Sequence, residues 1–328
     1  MNKCWAHRET RDAIVVYMKT ITDRTEISQH QMLSMIGISK GKYFHWKSRM
    51  GKETKHNYSL PKRHWLLPWE KEAIIAYTRA HYCDNDFFLR DGYRRLTYRM
   101  LDENIVALSE SSVYRVLAAA GLLNQWKTVK TSAKGNGFQQ PTKPHEHWHT
   151  DIKYINLCGS FVFLISVMDG YSRSIIHHEV RMHMAEYDVQ LTIQRAKEKY
   201  PNEHPRIISD NGGQFLSKDF QEFIKQLELL HVKTSVAYPQ SNGKLERFHR
   251  SIGMECLSMN SFLSLEDARK IIARYIDHYN CCRLHSALNY LTPEDMLLGR
   301  KSERIAERKE KLHAAARSRK LSWNKQAA

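Results

Sequence analysis

The stretch Trp148-His149-Thr150-Asp151-Ile152-Lys153-Tyr154-Ile155 reads as a β-strand with an acid in its middle. The run Phe161 to Asp169 is apolar almost throughout and reads as a second strand, set off from the first by Cys158-Gly159-Ser160. The turn Asp169-Gly170 leads to a third strand, Ser174 to Val180. Beyond these the pattern alternates. Val189, Thr192, Ile193 and Ala196 fall at helical spacing, and Arg206 to Ser209 is a short strand after Pro205. Phe220, Phe223, Ile224, Leu227 and Leu230 predict an amphipathic helix, and Val232 to Val236 a fifth strand. The loop Tyr238-Pro239-Gln240-Ser241-Asn242-Gly243 opens a helix with Leu245, Phe248, His249, Ile252 and Cys256 on one face, and another helix runs from Glu266 to Asn280. Three strands in hairpin order, followed by alternating helices and strands, predict a mixed α/β sheet covered by helices on both faces.

Upstream the chain reads as helices. Ile14, Tyr17, Met18 and Ile21 share one face of a first helix. A second spans about Ser28 to Ile36, Gly37 turns the chain, and Ser39 caps a third that runs to about Arg49. Helix, glycine turn, helix fits both a helix-turn-helix DNA reader and an ordinary helical hairpin; Lys40, Lys42, Tyr43, His45 and Lys47 would decorate its second helix. After Pro61 and Pro68 a second helical unit carries Arg94, Arg95, Arg99 and Arg115 among its aromatics, each open to a packing or a phosphate-contact role. The expected domains are residues 1–58, 59–123, a Lys-, Gly- and Gln-rich linker 124–144, an α/β domain 145–299 and a helical basic tail 300–328 that reads as exposed.

Charge follows those boundaries. The 328-residue chain has a net charge of +16. Residues 1–143 hold 24 basic against 13 acidic residues, a net +11; residues 144–299 hold 17 against 19, a net −2; residues 300–328 hold 10 against 3, a net +7. A basic front and tail around a nearly neutral, acid-bearing middle point to a polyanion, and specifically to nucleic acid. No apolar run approaches the roughly 20 residues of a membrane helix. The six cysteines form no C-x-x-C pair, so a disulfide framework or zinc ribbon is not expected. The expected protein is soluble, cytoplasmic and nucleoid-associated.

Three acids stand out: Asp151 within the first strand, Asp210 at the head of Asp210-Asn211-Gly212-Gly213-Gln214-Phe215, and Glu246 one turn into its helix. Carboxylates suit Mg²⁺ or Mn²⁺, and two such ions would serve an in-line phosphodiester displacement. Among 35 acids such a spacing is common by chance, so the surrounding residues carry the reading. Trp148-His149-Thr150-Asp151, the Asp210 run, and Tyr238 through Gly243-Lys244-Leu245-Glu246-Arg247-Phe248 resemble the catalytic core of the D-D-E transposases and retroviral integrases, most nearly the OrfB-type transposases of the insertion-sequence-three family. Arg90-Asp91-Gly92-Tyr93-Arg94-Arg95 with Ser112 to Leu117 resembles that family's helical DNA-binding module, and Tyr279-Asn280, Arg283 to Leu288 and Leu291-Thr292-Pro293 resemble its closing motif.

The resemblance implies a ribonuclease-H-like core in which the first and fourth strands adjoin, bringing Asp151 beside Asp210 with Glu246 on a neighbouring helix. It implies metal-dependent cleavage at transposon ends and strand transfer into target DNA, with Asp151, Asp210 and Glu246 as catalytic residues and ligands of two Mg²⁺ ions, Mn²⁺ substituting. The expected DNA contacts are Ser39, Lys40, Lys42, Tyr43, Arg94, Arg95, Arg115, Asn211, Gln240, Asn242, Lys244, Arg247 and Arg250. The expected partners are DNA, further copies of the chain on DNA as a dimer or higher oligomer, and an upstream-frame protein; no membrane is expected. Asp169 and Asp219 are acids outside the expected site. A different class, a DNA-binding regulator or domesticated transposase that keeps the core as scaffold, would favour loss of one of the three acids. One departure stands out: the family often has Lys or Arg seven residues after the glutamate, and Gly253 is there instead, with Arg250 on the same helical face. His145, His147 and His149 alternate as on one strand face, but the resemblance assigns the metal to carboxylates.

Overall fold

The computed structural model describes residues 6–52, 65–83, 91–123, 140–233 and 243–327. Gln240 and Asn242, with most of the loop before Gly243, lie outside these. The chain forms two compact units, Met1–Trp65 with Ser322–Ala328, and Leu66–Leu321.

The first unit holds α1 (Arg8–Arg24), α2 (Gln29–Ile36) and α3 (Lys40–Ser48). Its helix ends follow the side chains that cap them. Ser28 and Gln31 form a capping box at α2, Gly37 ends that helix at φ 73°, and the Ser39 hydroxyl accepts the Lys42 N–H at α3. The core is Val15, Met18, Met32, Leu33, Ile38 and Tyr43. Two expectations change here. Tyr17 is exposed and Val15 takes its inward place, while Tyr43 is 1% exposed and packs in the core, so it has no surface to offer DNA. Lys40 and Lys47 are exposed; Lys42 lies over the Trp46 ring, 5.0 Å from its centroid.

The second unit begins with α4 (Pro68–Cys83), α5 (Tyr93–Asp102) and α6 (Glu110–Ala119), packed through Ile74, Leu96, Met100, Val113, Val116 and Leu117. Its arginines are largely engaged. Buried Asp91 binds Arg95 at 3.2 Å and Arg99 at 2.9 Å; Arg94 meets Glu110 at 3.1 Å; and Arg115 donates to the Ser111 carbonyl. Arg95 is therefore a structural counterion rather than a free phosphate contact. The last helix, α13 (Lys301–Ala327), is not the exposed rod expected: Arg308 forks onto Asp102 at 2.8 and 2.6 Å, and Arg319 meets buried Glu70 at 2.8 Å.

The five-stranded sheet has the order β3-β2-β1-β4-β5, from β1 (His147–Leu157), β2 (Ser160–Asp169), β3 (Ile175–Arg181), β4 (Arg206–Ser209) and β5 (Leu230–Lys233). β1–β2 and β2–β3 are antiparallel; β1–β4 and β4–β5 are parallel. This is the mixed sheet expected, with the first and fourth strands adjoining. One face packs on α7 (Glu186–Lys199) and α9 (Lys218–Gln226), after the short α8 (Gly213–Leu216). The other packs on α10 (Gly243–Glu255) and α11 (Leu265–Cys281), and α12 (Pro293–Leu297) follows. Leu230 opens β5 instead of ending a helix, because Glu228 at φ 55° breaks the helical path and turns Leu229 inward.

Candidate active site

Alternation along β1 sends Trp148 and Ile152 into the α7/α9 layer and Ile155 into the α10/α11 layer. Asp151 and Lys153 share the phase of Ile155 and face α10. The β1–β4 register pairs His149 with Ile208, and two further steps set Asp151 beside Asp210 just beyond the end of β4. Asp210 Oδ1 accepts the Gly212 N–H at 3.0 Å. A Cβ at Gly212 would meet Gln214 Oε1 at 3.0 Å and Asp210 Oδ1 at 3.1 Å, so a larger residue there would press on the Asp210 carboxylate. Glu246 is exposed on the first turn of α10.

The electrostatics bind the three together. Asp151 is pushed up from 3.8 to about 6, first by burial and then by the charges of Asp210 and Glu246, against the opposing Ile152 N–H and Lys153. Its Oδ1 accepts the Ile152 N–H at 2.9 Å, and its Oδ2 lies 3.5 Å from His249 Nδ1. Burial, aided by Lys153, pulls His249 down to about 3, so the ring is neutral and the contact is no ion pair. Among the described residues, no three His, Cys, Asp or Glu side chains converge tightly enough to hold a metal ion. The donor set still fits a hard divalent cation: all oxygen, crowded with like charge, and open on the Asp210 and Glu246 side.

Beside Glu246, Lys244 donates to the Gly170 carbonyl at 2.5 Å and is pulled down to about 8 by burial and by nearby Arg173. Arg247 and Arg250 are exposed on α10, and Asn211 is exposed next to Asp210. Asp169 is not a bystander acid: it is buried and accepts from the His145 N–H, the Ser172 N–H and the Ser172 hydroxyl, pinning the β2–β3 turn. Exposed Asp219 is free of that duty.

Residues 141–239 match the family described as Integrase core domain, and residues 229–293 match a second family of the same description. The transposase for insertion sequence element IS904 of Lactococcus lactis is 24% identical over 220 residues, covering 63% of this chain and 87% of that protein. The transposase InsF for insertion sequence IS3A of Escherichia coli K12 is 29% identical over 155 residues, covering 46% of this chain and 53% of that one. Residues 141–293 thus carry the integrase-core likeness, and the chain is similar to these transposases. The HTLV-2 integrase catalytic core domain, solved in complex with magnesium, superposes with a TM-score of 0.38 at 18% identity over 48% of this chain and 98% of its own.

Two features of this chain escape a reading of its sequence. Arg173, at φ 64°, is partly buried; it feels the charge of Arg247 and its own charge is felt by Lys244, making a cationic cluster between the β2–β3 turn and the start of α10. Nothing in the run Tyr171-Ser172-Arg173 signals a left-handed arginine. The closing motif proves to be a brace. Asn280 exchanges two 2.9 Å hydrogen bonds with the backbone of Ile175, and buried Arg283 forks onto Glu255 at 2.7 and 2.6 Å. These bonds tie α11 to β3 and fix the far end of α10.

Proposed function

We propose that this chain binds the ends of an insertion sequence and carries out metal-dependent cleavage and strand transfer at the sheet edge formed by Asp151, Asp210 and Glu246. The observation that carries this reading is the meeting of three carboxylates: Asp151, raised first by burial and then by the charges of Asp210 at a strand end and Glu246 on a helix. Such crowding disfavours folding unless a cation is recruited, and oxygen ligands select a hard one. Asp151, Asp210 and Glu246 would hold Mg²⁺, two ions per site, with Mn²⁺ substituting. When bound, the metal activates the attacking oxygen and stabilises the leaving one.

The protein's own groups do the rest. Asp151 is held in orientation by the Ile152 N–H and neutral His249, and Asp210 by the Gly212 N–H. Arg173, Lys244, Arg247 and Arg250 supply cations beside the carboxylates for the DNA backbone, and Asn211 a neutral donor. On α3, Lys40 and Lys42 serve the ends; Arg94 and Arg115 remain partial contacts on the second helical unit. Two ends joined together need an active site each, and on this reading the DNA-bound form is at least a dimer.

The test is a gel of labelled duplex taken from the DNA flanking the reading frame, run with Mg²⁺ beside a binding titration without it. Asp151→Asn, Asp210→Asn and Glu246→Gln should each abolish cleavage and joining yet bind the ends as well as or better than wild type. Asp219→Asn should stay active. Substantial joining by Glu246→Gln would sink the three-carboxylate site. Specific binding with no joining by the wild type would support a regulator that keeps the core as scaffold.

A further inference from the structure

Lys153 is a cation whose charge reaches Asp151, and it comes from the strand, not from the helix. It follows Asp151 by two residues and so leaves β1 on the same face, toward α10. Its ammonium would lie 3.9 Å from a Cβ placed on Gly253, which puts it over the bare backbone of α10 two turns beyond Glu246. It is half-buried, and among the described residues it makes no hydrogen bond and meets no carboxylate within 4 Å. Its field nevertheless reaches both Asp151 and His249. A partly buried ammonium without a counterion within 4 Å, on the strand face that also carries Asp151, is placed for an anion supplied from outside the chain.

We propose that Lys153 binds the non-bridging oxygens of the reacting phosphodiester, and that Gly253 leaves the space its side chain occupies. The basic group missing from α10 at position 253 is thereby provided from β1. A long side chain at 253 would have to share the spot now held by the Lys153 ammonium; a lysine there would set two like charges against each other. The inference rests on the transposase reading and adds to it the group that holds the phosphate against the repulsion of three carboxylates.

The full-length chain is tested for joining of the labelled flanking duplex with Mg²⁺, and for binding of the same duplex without metal. Lys153→Gln should slow joining about 10- to 100-fold while Kd changes less than about threefold, and should lower the slope of log K against log salt by about 0.9. Lys153→Arg should retain joining within about threefold, because it keeps the charge. Lys153→Gln combined with Gly253→Lys should recover at least about tenfold over Lys153→Gln alone, by returning the cation to the same space from the helix; a merely structural lysine would give no such recovery. Equal joining by Lys153→Gln and wild type overturns the inference and leaves the transposase reading standing. Loss in Lys153→Gln that the second substitution fails to restore, at an unchanged melting temperature, also overturns it. A wild-type chain that binds the ends but never joins them overturns the transposase reading, and this inference with it.

Discussion

Acids at the two ends of α10, Glu255 on the helix itself and Asp151 on β1 facing it, stand in opposite circumstances. At its C-terminal end Glu255 receives the Arg283 fork and the Tyr275 hydroxyl, with Arg95 at 3.9 Å. Burial pushes its carboxyl up, yet Arg283, Arg95 and Tyr275 together hold it below the ordinary 4.5. At its N-terminal end Asp151 faces Asp210 and Glu246 and rises to about 6. Residue type and burial are alike; only the sign of the neighbours differs. An acid that its own chain has neutralised is part of the scaffold, and an acid surrounded by more acid is waiting for something.

The comparison can be broken at several points. The largest effect is expected at the satisfied end. Glu255→Ala strands Arg283 as a buried, unpaired charge and should cost about 3–5 kcal/mol in chemical denaturation. A loss below about 1 kcal/mol would mean the two ends differ less than their partners imply. At the crowded end the sign reverses. Holding a carboxyl at about 6 rather than 3.8 in the folded state costs roughly 1–3 kcal/mol once both states are ionised. Asp151→Asn should therefore stabilise metal-free protein by that amount above about pH 6, and the gain should fade as pH drops toward 3.8, where folded and unfolded carboxyls are both protonated. Denaturation curves at pH 7.5 and pH 4 would check it; a gain that grows on acidification would refute the cause.

A third measurement joins the two. Mg²⁺ at about one hundred times its Kd should raise wild-type stability by roughly 2.7 kcal/mol and leave Asp151→Asn nearly unmoved, whereas a variant at the Glu255 end should respond like wild type. Calorimetry with and without EDTA gives the answer. The smallest effect is expected at the cationic cluster beside Glu246. Arg173→Ala should lower the salt slope of DNA binding by about 0.9 and weaken affinity modestly, with joining by bound complex unchanged. An unaltered slope would make Arg173 a packing residue.

Much of this was legible in the strands. Three hairpin strands followed by alternation read as the mixed sheet, while the adjoining first and fourth strands that set Asp151 beside Asp210 came from the resemblance to the integrase core. The caps at Ser28, Gly37 and Ser39 were equally plain, since side-chain capping is a local matter. What stayed hidden depends on residues far away in sequence. Tyr43 sits among lysines at helical spacing, and only packing against α1 turns it inward. Arg94 and Arg95 are adjacent, yet Arg95 faces Asp91 and, across 160 residues, Glu255, while Arg94 stays at the surface. Asp169 read as a spare acid because two of its donors come from a turn whose shape no periodicity announces and the third, the His145 N–H, lies 24 residues upstream. Lys153 was visible only as a polar flank of Asp151, since its meaning lies in the empty face of Gly253 on another element.

The pairings of α13 bear on the order in which the protein can be made. Glu70 and Asp102 leave the ribosome early, but their counterions, Arg319 and Arg308, follow 249 and 206 residues later. Until then the helices α4 to α6 carry two acids destined for burial with nothing to neutralise them, and closing so long a loop is slow. This segment should therefore lag during synthesis, remaining loose while the sheet assembles behind it, and settle only when the last helix arrives. Polypeptides arrested before residue 308 should be cut by protease within α4 to α6 and protected within the sheet, so that maturation runs from the middle of the chain outward.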